Sequence, residues 1–69
     1  MNQHHKNRVR TARLKAGLSQ AQAAWRAGVS LSTFVIADKY GALSQRTAEK
    51  LAPVLGCQVE DLLPPRRQP

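Results

Sequence analysis

The chain has 69 residues, of which 42% are hydrophobic and 4% aromatic, so it makes one small domain with a chiefly aliphatic core. A chain of this size buries only about 60% of its unfolded surface. Cys57 is the single cysteine, which excludes an internal disulfide and a cysteine-based zinc site. The formal net charge of +7 puts nucleic acid first among partners and an acidic membrane surface second.

No apolar run approaches membrane-spanning length, and MNQHHKNR lacks the hydrophobic segment of a signal peptide, so a cytoplasmic location is expected. Residues 1–6 read as a flexible basic arm. The adjacent His4 and His5 would point in different directions on a helix, so no metal site is expected from them. The charge is unevenly placed: Lys6, Arg8, Arg10, Arg13, Lys15 and Arg26 all precede Asp38, and no acidic residue does. Such a one-sided field either is a solvated basic surface or faces phosphates.

A first helix is predicted from Asn7, a candidate cap, to Ala16, with Val9, Ala12, Arg13 and Ala16 on its inner face and Gly17 ending it. A half-buried arginine needs a partner. Asp38 is the only acid near, so the sequence predicts an Arg13–Asp38 ion pair from the first helix to the end of the third. The alternative is an arginine whose head reaches water.

Ser19 opens a second helix as N-cap, with Gln22 placed to complete a capping box and Ala23, Ala24 and Ala27 on one face. Gly28 closes it, and Ser30 caps a third helix with Phe34, Ala37 and either Val35 or Ile36 inside. Cap, small apolar face, Gly-Val-Ser, second cap and second apolar face make a helix-turn-helix pattern. A fourth helix follows from Ser44, with Thr47, Ala48, Leu51, Ala52 and Leu55 inward and Gly56 as its stop. Pro53 predicts a bent or shortened final turn. Residues 59–63, VEDLL, form a short last helix returning Leu62 and Leu63 to the core, before a basic tail at 64–69 that has no packing potential. No acid–base or nucleophilic constellation is present, so neither an enzyme nor a cofactor is expected.

The run VRTARLKAGLSQAQAAWRAGVSLSTFVIADKYG, followed by SQRTAEKLAPVLGCQVEDLL, resembles the Cro/phage-repressor (Xre) helix-turn-helix family over roughly residues 9–63. The marks are Arg10 and Arg13, the Gly-Leu-Ser-Gln opening the second helix, Ala24, Gly28-Val29-Ser30, Ser32-Thr33, Asp38, and Leu51-Ala52 with Leu55-Gly56. The resemblance implies an all-α, compact five-helix lambda-repressor-like domain over residues 7–63, with the third helix in the DNA major groove. By position, Gln20 would contact phosphate, Leu31, Ser32 and Ile36 would face base edges, and Thr33 would lie against backbone. The Arg13–Asp38 pair matches one for which the family is known.

The departures from the family pattern are informative. Leu31 and Ile36 replace polar residues on the reading face; they can meet a thymine methyl but cannot make bidentate hydrogen bonds. Lys39-Tyr40-Gly41 replaces the usual Asn-Gly turn, freeing Lys39 and Tyr40 to hold phosphate. Ala12, Ala23 and Ala27 stand where leucine is usual, so the helices approach closely or Phe34 fills the gap. Cys57 takes a core aliphatic's position, as a buried inert thiol. Leu14 falls off the first helix's core face, and Trp25 falls opposite the alanines of the second. Trp25 either covers those alanines or belongs to an exposed apolar interface. The expected function is a sequence-specific DNA-binding transcriptional regulator, a repressor, on a palindromic operator as a homodimer. The alternative is a helix-turn-helix protein whose apolar third helix binds a protein partner, such as a toxin or an RNA polymerase subunit.

Overall fold

Serine hydroxyls and left-handed glycines punctuate the chain, and the helices lie between them. The computed structural model describes residues 8–63, which form five helices: α1 (Arg8–Ala16), α2 (Gln20–Ala27), α3 (Leu31–Tyr40), α4 (Gln45–Leu55) and α5 (Val59–Leu62). The domain is all-α. The basic arm, the Asn7 cap and the C-terminal tail read from the sequence lie outside the described residues.

Ser19, Ser30 and Ser44 each accept a hydrogen bond from the backbone N–H three residues on, satisfying a first-turn donor of α2, α3 and α4. At α2 the box is complete, because the Ser19 N–H donates to Gln22 Oε1 at 2.9 Å. Gly28 ends α2 at φ 75°, where a side chain would be strained. Its N–H donates to the Trp25 carbonyl and that of Val29 to the Ala24 carbonyl, a double closure that turns the chain sharply. Three residues therefore join α2 to α3.

The buried core is Val9, Leu18, Ala23, Ala24, Phe34, Ala37, Ala48, Leu51, Ala52, Leu55 and Leu62, and Asp38 is the one buried charge among the described residues. α3 packs on α2 and α1, while α4 packs on α2, α1 and α5. Phe34 is fully buried and shares one core cluster with Ala23, Ala24 and Ala37. Val35 is half-buried and Ile36 exposed, so Val35 is the residue of that pair that turns partly inward.

Two expectations, those for Ala16 and Cys57, need correction. Ala16 is exposed, because α1 ends there and the Gly17 turn carries the chain away. α4 keeps Pro53 inside it and runs to Leu55, where Gly56 caps it as the sequence predicts. Pro53 sits on the exposed face, so the carbonyl it leaves unpaired four residues earlier shares that face and is open to water. Cys57 is half-buried against the core rather than fully enclosed. Burial, with a smaller contribution from the Asp61 charge, pushes its thiol pKa up and keeps it protonated near neutrality.

Candidate functional site

A single carboxylate fixes the orientation of α3. Asp38 is fully buried and receives four hydrogen bonds from three side chains. Arg13 of α1 donates through Nε to Oδ1 at 2.9 Å and through Nη2 to Oδ2 at 3.4 Å. Gln20, the first residue of α2, donates through Nε2 to Oδ2 at 2.9 Å, and Arg10 donates through Nε to the same oxygen at 3.2 Å. Arg13 also binds the Leu18 carbonyl through Nη1 at 2.9 Å. Burial pushes the Asp38 pKa up. The hydrogen bonds from Arg13, Gln20 and Arg10, with the Arg13 charge, outweigh it and hold the carboxyl below its ordinary value. Asp38 is thus an ionised bolt between α1, α2 and α3.

The sequence pointed to Arg13 alone as the partner of Asp38. Arg10 lies one helical turn from Arg13, on the same side of α1, and that i, i+3 spacing was the signal for its part in the cluster. Gln20 was expected to reach phosphate. Its amide also donates to Asp38, which ties the start of α2 to the end of α3.

With Phe34, Ala37 and Asp38 turned inward and Val35 half-buried, α3 presents its remaining side chains to solvent. Ser32, Ile36 and Lys39 follow one another at helical spacing, with Thr33 and Tyr40 beside them and all five exposed. Leu31 is 51% exposed, Ile36 48% and Tyr40 64%, so the apolar residues on this face are not borrowed from the core. Lys39 Nζ lies 5.7 Å from the Tyr40 ring centroid, a cation held over an aromatic face. Thr33 Oγ1 accepts from the Ser30 hydroxyl at 2.8 Å, which places it at the capped mouth of the helix.

Asp38 is the only acid in α1, α2 and α3, and it is enclosed. The accessible surface of these three helices therefore carries cationic side chains and no carboxylate. The acids lie elsewhere, with Glu49 on α4 and Glu60 and Asp61 on α5. A groove between α1 and the α4–α5 junction, lined by Arg8, Lys15, Gln58 and Asp61 among others, mixes both signs and has no such polarity.

Trp25 is 82% exposed and does not cover the alanines of α2; its indole stands out from the helix. Leu14 is 61% exposed. Both are therefore free apolar surface. No described helix is long and apolar enough to cross a membrane. No protein-family model, curated protein or solved structure gave a significant match to this chain.

Proposed function

We propose that this chain binds double-stranded DNA by laying α3 in the major groove, and acts as a sequence-specific transcriptional repressor on a palindromic operator, as a homodimer. The observation that carries this reading is the sign of the surface. The only acid of α1–α3 is sequestered, so a polyanion meets nothing repulsive over three helices. The major groove is wide enough to admit one α-helix. The resemblance to the Cro/phage-repressor (Xre) family adds support from the order of its motifs.

In this reading Ser32 bonds base edges, and Leu31 and Ile36 meet thymine methyls. Lys39, Tyr40 and Thr33 contact the backbone and set the register. Gln20 serves the interface from behind, by holding Asp38 and hence α3. Two copies related by a two-fold axis would place their third helices about 34 Å apart, one turn of the duplex.

Selection of bound sequences from a random duplex library at near-physiological salt tests this. A palindrome with half-sites one helical turn apart is expected. Ser32→Ala should then relax preference at one base pair, by about 0.5–1.5 kcal/mol, the scale of one neutral hydrogen bond. Lys39→Ala should instead weaken binding to all sequences alike. Equal losses on operator and random DNA for Ser32→Ala would remove it from base reading.

A second reading is favoured by the exposure of Leu31, Ile36 and Tyr40, which is ordinary for a surface that docks a protein. Binding without sequence enrichment, lost as salt rises, would transfer the α3 face to a protein partner.

A further inference from the structure

Two guanidinium groups converge on one carboxylate at Asp38, so the cluster holds a surplus positive charge. The two arginines are not equivalent. Arg13 is 13% exposed and spends Nε, Nη1 and Nη2 on Asp38 and the Leu18 carbonyl. Arg10 is 42% exposed and gives Asp38 only its Nε. Its Nη1 and Nη2 make no hydrogen bond to any described residue. The surplus charge therefore sits on a guanidinium whose outer edge is open, at the seam where α1, the first residue of α2 and α3 meet.

We propose that Arg10 is a backbone-phosphate clamp, gripped from behind by Asp38 and offering its two terminal amino groups to two oxygens of one phosphate. The inference rests on the reading of this chain as a duplex-DNA binder and adds a residue to that interface. Three features support it. The guanidinium fork matches phosphate bidentately, and an ammonium does not. The Nε hold on Asp38 fixes the side chain before binding, so less rotamer freedom is lost when the phosphate arrives. Gln20, the other polar group at this corner, donates its amide to the carboxylate, whereas Arg10 keeps its outer edge open. Asp38 thus does two things with one charge: it locks α3 through Arg13 and aims Arg10.

The test compares the wild-type chain with Arg10→Gln and Arg10→Lys on one duplex, between about 50 and about 200 mM salt. A melting curve for each protein confirms that binding is measured on folded chain. Arg10→Gln is expected to lose about tenfold in affinity at the low-salt end, the scale of one charge-assisted hydrogen bond. Its salt slope is expected to fall by about 1, which a purely structural defect would not produce. Arg10→Lys is expected to lose affinity as well, because one ammonium cannot serve Asp38 and a phosphate fork together; if the glutamine variant does not fold, the lysine variant carries the test. Wild-type affinity and slope in Arg10→Gln would take Arg10 out of the interface. Wild-type behaviour in Arg10→Lys would reduce its part to diffuse charge and overturn the clamp. A wild-type chain that binds no duplex would overturn the DNA reading itself, and the clamp with it.

Discussion

The two ends of this small domain are built from different chemistry. Around α4 and α5 the large buried side chains are leucines: Leu51, Leu55 and Leu62 pack with Ala48 and Ala52, with no charged group among them. Around α2 and α3 the buried residues are Ala23, Ala24 and Ala37 with one large side chain, Phe34, and an ionised aspartate is enclosed with them. Large aliphatic side chains supply most of the free energy of burial, because it scales with apolar area. Alanines supply little area, but they let helix backbones come close. A hydrogen-bonded carboxylate between three helices adds direction, which hydrophobic contact lacks. The leucine end therefore contributes stability, and the alanine end sets the angle at which α3 is presented.

The comparison breaks most sharply at Asp38. Asp38→Asn keeps the shape, removes the charge, and leaves Arg13 nearly enclosed without a counter-ion. The expected loss at pH 7 is about 3–5 kcal/mol in a denaturant titration. Its pH dependence identifies the cause. The folded pKa of Asp38 lies below its unfolded value, so its contribution is fully present above the unfolded pKa and disappears as pH falls through the folded one. The gap between wild type and Asp38→Asn should accordingly close in acid. A gap that stays constant from neutral pH to about pH 2 would mean the loss comes from packing and not from charge.

Leu51→Ala sharpens the same contrast from the other end. Leu51 is fully buried, and truncating it leaves a cavity, at an expected cost of about 2–5 kcal/mol. No titratable group is removed, so this loss should not shrink in acid as the Asp38 one does. The duplex affinity of folded Leu51→Ala should match wild type, since α4 bears on the α3 face only at a distance. A large affinity loss in folded Leu51→Ala would show that the leucine end also sets the presentation of α3.

The two ends were also unequally legible. The inner face of α4 was readable residue by residue, because Ala48, Leu51, Ala52 and Leu55 repeat at helical spacing and large aliphatics seldom have another task. The three serine caps were as plain, since their chemistry is local. The cluster on Asp38 was half readable. One acid facing an excess of arginines predicts a pair, but periodicity does not say how many donors a carboxylate will collect across 28 residues of chain. Gln20 shows the limit: its bond to Asp38 spans 18 residues of chain and has no local signal in the sequence.

The smallest expected effect on stability lies at Trp25, and it marks the outer boundary of the alanine end. At 82% exposure the indole contributes little to the core, so Trp25→Ser should change stability by less than about 0.5 kcal/mol. Trp25 is the only tryptophan, so its fluorescence in the wild-type chain reports this one site without interference. In dilute protein the emission should be that of a water-exposed indole, and it should shift to the red only slightly on unfolding. Raising the protein concentration in the presence of operator DNA should move the emission to the blue if the homodimer covers this side of α2. The same titration with Trp25→Ser, followed by sedimentation, should then show weaker dimerisation with an unchanged melting temperature. A blue emission already present in dilute protein would place the indole over Ala23 and Ala24, and the thin alanine core would then have a lid.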